Sequence, residues 1–429
     1  MGPQVDGILL GLRSLFPEKV AYLKKQKTAI ISHVLPPSPS GQAVVLYRLL
    51  KELASEAYCL MSCRNYVDSS SPDTISTQKL PVSYHYLPPV YQLPLIPKYN
   101  MDIVGLWINT PWVIYRRARQ IQRTLLNEGC DLLIACSGDM YDIPAGCLAS
   151  QMAKVPFVAY MFDDYAYQWI GAFRPISVWL EREMAKRAAG IIVPNEYLQE
   201  AYARRYGFKS MLVRNPTPLY DLDDLDKAER VFAKEAVNIV YAGAVYHAND
   251  DALRNLVEAI QRMGREDIRF HIYTSQTERE LKERGVAGPR VICHSHISET
   301  EIPKVLRQAD ILFLPLAFSS PIPEVIRTSA PGKMAEYLSV ARPILVHAPS
   351  DSFCSWFFNK HGCGVVVDQY DPALLAEQIE LILASKEMQK RLGERARKVS
   401  EEFFRVEEAQ RAFVEGIQTV LGRKGNNLS

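Results

Sequence analysis

An α/β protein of two Rossmann-like domains facing across a cleft is the fold class that this sequence predicts. Three observations carry it. Short apolar runs alternate with stretches of helical spacing along most of the chain. The alternation breaks at the acidic stretch 219–236 and then restarts. The 429 residues are too many for one average domain and fit two of about 200.

In the first half, the run at 28–32 predicts a strand, the Pro/Ser/Gly-rich 33–41 a loop and 42–54 a helix. Strands are expected at 130–136, 156–160, 190–193 and 211–213, with helices at 143–154 and 196–206. Repeated strand–helix units imply a parallel sheet covered on both faces. At the break, Asp221, Asp223, Asp224 and Asp226 have the D-x-D spacing of a metal site. No strand precedes them, so solvated linker charge is the expected reading, and the domain boundary is placed here. The second half predicts strands at 238–242, 270–273, 291–293, 311–315, 343–346 and 363–367, with helices at 250–263, 276–284, 300–308, around 328–341 and from 372 to 421. The expected domains are 1–218 and 237–404. Open parallel sheets bind ligands at the carboxyl ends of their strands, and domain junctions are favoured pockets.

Composition narrows the class. Apolar residues make up 48% and charged residues 23%, as in soluble globular proteins. A net charge of +2 gives no global pull on nucleic acid, so no nucleic-acid partner is expected. No apolar run reaches the roughly 18 residues of a spanning helix. The apolar stretch at 8–12 is not preceded by charge, unlike a signal peptide, and a cytoplasmic location is expected. The eight cysteines form no C-x-x-C pair, and several sit in apolar runs, which reads as reduced core cysteines rather than a zinc site. There is no H-E-x-x-H, no Walker loop, no G-x-G-x-x-G after a strand and no G-x-S-x-G elbow. These absences weigh against metalloprotease, NTPase, dinucleotide oxidoreductase and serine hydrolase.

The most informative segment is 328–346. Thr328 or Ser329 can cap a helix, Pro331 fits its first turn, and Gly332 lets a ligand approach the backbone. Such a helix start offers free N–H groups to an anion, and Lys333 adds a full charge. Glu336, three residues on, shares the Lys333 face and can accept two ribose hydroxyls. An ordinary capped helix with a solvated Lys–Glu pair is the plain alternative.

Other candidates are single residues. Gly243 follows a strand and precedes a helix, where its backbone can approach a phosphate; His247 lies in the same loop and can donate to one. Gly41 stands where the first loop turns into a helix and can keep that helix start clear for a ligand facing the opposite domain. Asp163 and Asp164 follow a strand and precede the aromatic Tyr165, Tyr167 and Trp169, a setting that suits sugar hydroxyls or a developing positive charge. Each glycine also reads as a turn residue, the His as a solvated one and each Asp as a turn cap. Residues 101–126 combine Trp107, Trp112 and Tyr115 with Arg116, Arg117, Arg119 and Arg123. Such a helix suits an anionic membrane surface or, more plainly, packs one stripe on a core.

At this point the chain resembles the GT-B glycosyltransferases, most closely the family-four retaining enzymes that use nucleotide sugars. The resemblance covers nearly the whole chain. It is carried by Pro36 through Gly41 and the helix after it, by Gly190-Ile-Ile-Val-Pro-Asn195 and Arg214-Asn-Pro216, by Val240-Tyr-Ala-Gly243, and most specifically by Lys333-Met-Ala-Glu336. The family commonly carries two glutamates eight positions apart. Glu336 matches the second, with an implied ribose role, while Thr328 occupies the first position. The loop after Gly243 lacks the family's diphosphate-clasping Arg and Lys, leaving Lys333, Arg327 and His247 to serve. The family's catalytic-site His is replaced by Asp163 or Asp164.

The resemblance implies that residues 405–429 pack back on the first domain. It implies donor diphosphate at Ser329–Lys333 and Gly243, and acceptor near Gly41. It also implies transfer with retention and without metal or other cofactor, to a glycan, lipid-linked or small-molecule acceptor. Peripheral contact with the inner membrane face is an added expectation. Two alternatives stay open: a nucleotide-sugar 2-epimerase of the same fold, and a non-catalytic partner subunit that binds nucleotide or glycan.

Overall fold

The computed structural model describes residues 26–67, 79–91 and 102–426. The apolar stretch at 8–12 therefore lies outside the described residues. The chain divides into two units, each built on one parallel sheet. The first holds the chain up to Pro194, Leu198–Val213 and the closing helix from Gln410 onward; the second holds Asn195–Tyr197 and Arg214–Ala409.

The first sheet is made of β1 (Thr28–Ile31), β2 (Tyr58–Ser62), β3 (Tyr84–Tyr86), β4 (Leu132–Cys136), β5 (Phe157–Tyr160), β6 (Gly190–Val193) and β7 (Met211–Leu212). Their order is β3-β2-β1-β4-β5-β6-β7, with every pairing parallel. The chain runs outward from β1 to β3 and then returns to β4 on the other side. The strand order thus reverses between β1 and β4, where the loops at the carboxyl ends splay apart. Helices α1 (Gly41–Leu50), α2 (Asp102–Glu128), α3 (Asp142–Ala153), α4 (Phe173–Ala185) and α5 (Glu196–Tyr206) supply the crossovers. β2 and β3 are strands that periodicity did not reveal. β2 is a five-residue run with no β-branched residue, and β3 is only Tyr-His-Tyr.

The second unit opens with α6 (Leu222–Asp226), where a solvated linker was expected. Asp221 caps this short helix, Leu225 is buried, and Asp226 pairs with Arg307 at 2.8 Å, so the acidic run is a docked turn of helix. Next come β8 (Val237–Ala242), α7 (Asp250–Met263), β9 (Ile268–Tyr273), α8 (Glu278–Glu283), β10 (Val291–His294), α9 (Ile302–Arg307) and β11 (Ile311–Pro315). Then follow α10 (Pro323–Thr328), α11 (Gly332–Ser339), β12 (Ile344–His347), α12 (Phe353–His361), β13 (Val365–Val367), α13 (Pro372–Ala384) and α14 (Lys386–Phe403). The all-parallel order β10-β9-β8-β11-β12-β13 repeats the reversal, here between β8 and β11. Strands such as Ile311–Pro315 are buried at every position, as expected of a sheet covered on both faces.

The closing helix α15 (Val406–Asn426) returns to the first unit. Gln410 donates to the Arg48 carbonyl at 2.9 Å, Phe413 lies against Tyr160, and Ile417 and Val420 are buried. In the second unit α14 packs directly on the turn after α11. A Cβ at Gly393 would collide with the carbonyl oxygen of Ala341, and that backbone is held by Arg307, which donates to the Val340 and Ala341 carbonyls. Gly393→Ala is expected to cost about 1–3 kcal/mol through overpacking, read as a lower urea midpoint at unchanged slope.

Candidate active site

The carboxyl edge of the second sheet carries one connected polar assembly. Gly243 ends β8 with φ +139°, a conformation that side chains disfavour. A Cβ there would stand 2.5 Å from Lys333 Nζ, so the glycine makes room for the amine. Lys333 Nζ donates to Tyr241 Oη at 2.7 Å and lies 3.9 Å from the centre of the same ring. Tyr241 Oη donates to the Ala244 carbonyl at 2.6 Å and accepts from Asn249 Nδ2 at 3.0 Å. Gln276 grips Val245 through both its N–H and its carbonyl, at 2.6 and 2.9 Å. The Gly243 loop is therefore set by side chains rather than by its own composition.

Lys333 sits near the start of α11. Met334 N–H bonds back to the Pro331 carbonyl at 2.9 Å, while the N–H groups of Gly332 and Lys333 have no acceptor among the described residues. They are the free donors that a helix start offers to an anion. Space beside Gly332 is open. Removal from water pushes the Lys333 ammonium pKa down to about 7, although the side chain as a whole is only partly buried. Glu336, one turn on, pulls the other way, and the Tyr241 ring face also favours the charge. Tyr337 latches the helix to the strand: its hydroxyl accepts from Ala242 N–H at 2.9 Å.

The segment before this helix differs from the expected cap. Thr328 ends α10 and bonds back to the Glu324 carbonyl at 3.0 Å, so it caps nothing in α11 and its buried side chain faces its own helix. Ser329 follows α10 in extended backbone, and α11 begins at Gly332 with Pro331 at its N-cap and no side-chain cap. The helix α10 escaped the sequence reading because it is one short turn between prolines. Two asparagines from the motifs 190–195 and 214–216 hold this segment: Asn195 donates to the Thr328 carbonyl at 2.8 Å and Asn215 to the Ala330 carbonyl at 3.1 Å. Arg327, a donor candidate, stands beside this segment in the chain. It is exposed and lies 3.9 Å from Asp351. His247 is exposed on the loop, edge-on to Tyr246. Tyr241, Asn249, Gln276 and Tyr337 were missed because neutral polar residues inside apolar runs carry no spacing signal.

On the first unit, Gly41 is the first residue of α1, with open space around it. Asp164 is fully buried in an ion pair with Arg205, which also reaches Glu181 at 2.9 Å. Tyr202 and Tyr206 donate to the same glutamate. Asp164 is thus a structural charge, not a free carboxylate. Asp163 remains exposed; desolvation by the surrounding protein raises its carboxyl pKa, and the Asp164 charge adds to the rise. At the reversal point between β1 and β4, His33, Cys63 and Asp139 bring one ligand-type atom each within 4.8 Å of one another. Asp139 already accepts the N–H groups of Tyr141 and Asp142.

Two lines of comparison bear on this geometry. The sequence matches the family described as Glycosyl transferases group 1 over residues 236–385, and a Glycosyl transferase 4-like domain over residues 40–216. No curated protein matches it in sequence. Among solved structures, sucrose-phosphate synthase from Thermosynechococcus elongatus superposes with a TM-score of 0.68 at 16% identity, covering 93% of this chain and 100% of that one. HepE from Anabaena in complex with UDP-glucose gives 0.66 at 13% identity, covering 92% and 99%. A glycosyltransferase from Rickettsia africae gives 0.65 at 13%, again covering 92% and 99%. The two parallel sheets and these neighbours define the GT-B fold, and the family matches mark a glycosyltransferase. The chain belongs to the group 1 glycosyltransferases, with a Glycosyl transferase 4-like domain over residues 40–216.

Because Gly243 has both a positive φ and Lys333 against its Cα, Gly243→Ala is expected to lose about 1–3 kcal/mol of stability. Urea unfolding checks this, and an unchanged midpoint would remove the assigned contact.

Proposed function

We propose that this nucleotide-sugar glycosyltransferase seats its donor on the second unit and transfers a hexose to an acceptor hydroxyl, with retention and without metal. The observation that carries the reading is Lys333, whose amine is held over Gly243 beside two unpaired N–H groups. The donor diphosphate lies against these groups and the ribose hydroxyls against Glu336. The acceptor oxygen forms a bond to the anomeric carbon while the bond from that carbon to the diphosphate oxygen breaks. Charge growing on the departing diphosphate is met by Lys333 and the amides, donors already fixed by Tyr241 and the helix start. Asp163 and Gly41 contact the acceptor, which is a glycan, a lipid-linked sugar or a small molecule. UDP-glucose is the first donor to test, since HepE is the UDP-glucose-bound neighbour.

A second reading, a non-catalytic nucleotide-binding subunit, is favoured by one observation. Thr328 stands where the family commonly has a glutamate, and its hydroxyl is bound to its own helix. An epimerase would turn over donor with no acceptor present.

The Lys333 amine tests the donor assignment through protons. Below about pH 7 it is charged and above it is neutral. An anion raises that pKa again, so UDP binding at pH 8 is expected to take up a fraction of a proton approaching one. Calorimetry in buffers of different ionisation enthalpy reads this uptake, which Lys333→Met should abolish. Glu336→Ala is expected to weaken UDP binding by about 1–3 kcal/mol, the scale of lost buried hydrogen bonds. Sugar transfer from UDP-glucose in the presence of a chelator supports the enzyme reading. UDP binding without turnover of any nucleotide sugar supports the subunit reading, and no binding at all overturns both.

We further propose that the protein works at the cytoplasmic membrane face. No described helix is long and apolar enough to span a bilayer. Helix α2, however, buries Val113, Ile114, Ala118 and Ile121 while exposing Trp107, Ile108, Trp112 and Tyr115, and Arg116 lies over the Trp112 ring. Aromatic rings with adjacent arginines suit the interface of anionic lipid. Co-sedimentation with vesicles of anionic phospholipid is expected, weakened at least tenfold in the Trp107→Ala, Trp112→Ala double variant. Equal sedimentation of the two proteins would assign that face to something else.

A further inference from the structure

The opposite, amino-terminal edge of the first sheet holds a group of side chains that the reaction does not use. Cys59 lies near the start of β2, and Cys130 follows the turn that ends α2. Gly129, with φ +62°, makes that turn, and Cys130 N–H bonds back to the Leu125 carbonyl at 3.0 Å. The turn sets Glu128 and Cys130 on either side of one glycine. His85 comes from β3, whose register pairs it with Met61, two residues along from Cys59 and on the same sheet face. Three ligand-type side chains, Cys59, His85 and Glu128, therefore converge from β2, β3 and the end of α2, with Cys130 lying against Cys59.

Cys59, His85 and Glu128 are mutually close, and Cys130 adjoins them through Cys59. Cys59 Sγ and Cys130 Sγ are 3.7 Å apart. Two Zn–S bonds of about 2.3 Å at a tetrahedral angle put the sulfurs about 3.8 Å apart. Cys59 Sγ, His85 Nε2 and a Glu128 oxygen all lie within 4.8 Å of one another. His85 Nε2 is shielded from solvent and makes no hydrogen bond, although Glu128 Oε1 stands only 2.8 Å away. Lys27 grips the other Glu128 oxygen, the kind of outer contact that orients a ligating carboxylate. Charge also balances: two thiolates and one carboxylate against a divalent ion and Lys27.

The His33, Cys63 and Asp139 group lacks these properties. His33 Nε2 is 3.0 Å from the Arg64 guanidinium and its Nδ1 faces Cys63 at 3.4 Å, so both ring nitrogens have neighbours. Only one sulfur is present there.

We propose that Cys59, His85 and Glu128, with Cys130 turning in from its place against Cys59, bind one zinc-class divalent cation that clips the edge strand β3 and the end of α2 to the sheet. Binding replaces the two thiol protons, which leave to solvent; His85 binds neutral and Glu128 ionised. The site is structural, at the end of the first sheet opposite the loops that carry Gly41 and Asp163.

The test uses the full chain. Titration of the chelator-treated protein with Co²⁺ is expected to give thiolate-to-cobalt charge-transfer absorption and tetrahedral d–d bands, saturating at one ion per chain. Cys59→Ser and Cys130→Ser should each abolish the charge-transfer band, while Cys63→Ser keeps it. On the unaltered protein, chelation should lower Tm by several degrees and one equivalent of Zn²⁺ should restore it, a readout that needs no variant to fold. The proposal is overturned if the unaltered protein binds no cobalt with its thiols free, or if the band survives Cys59→Ser. Recovery of Cys59 and Cys130 as a disulfide-linked peptide from freshly purified protein overturns it equally, assigning the pair to redox chemistry.

Discussion

A lysine amine resting where a side chain would otherwise stand is the constraint on which the second unit's site depends. Lys333 can lie over Gly243 only because residue 243 has no Cβ. It stays there because Tyr241 offers both a hydroxyl and a ring face. That hydroxyl is in turn fully engaged, with Asn249 donating to it and Ala244 accepting from it. A buried polar network of this kind is stable when every member is paired and costly when one is missing. The amine remains partly stripped of water, so its charge is poorly compensated until an anion arrives. Loop, strand end and helix start are three pieces of chain that one ammonium ties together.

Much of the fold was legible because parallel sheets demand fully apolar strands, and runs such as 311–315 advertise themselves. Helices α4 and α12 escaped, and so did four elements with little apolar length: β2, β3, α6 and α10. Each of the four is fixed by tertiary contacts: β2 and β3 by pairing in register, α6 by Leu225 and the Asp226–Arg307 pair, α10 by its prolines. The glycine, lysine and glutamate of the site were readable as residue types with a backbone or charge role. The neutral groups that aim them were not, since a Tyr in a strand looks the same whether it supports a lysine or fills a core.

The aspartate pair makes the same point from the other side. Asp163 and Asp164 are neighbours in sequence, yet one is exposed and the other is locked to Arg205 and adjoins Glu181 across a shared guanidinium. Burial, which a sequence does not print, separates the two roles. The asparagines at 195 and 215 show how a short motif can matter without touching a ligand. Each carboxamide holds a carbonyl of the 328–330 segment, and that segment delivers the chain to Gly332. Their task is geometric support for the helix start.

Helix α15 carries a consequence for how the chain is made. The first unit is assembled from both ends of the sequence, because the helix from Gln410 onward belongs to it. On the ribosome, β1 to β7 emerge early, but Phe413, Ile417 and Val420 are synthesised only after all six strands of the second sheet. Until then, the groove beside Tyr160 and Gly190 lacks the side chains that fill it. The second unit can therefore finish folding while the first still waits, inverting the order of birth. Closing the first unit therefore waits on a segment made after the whole second sheet.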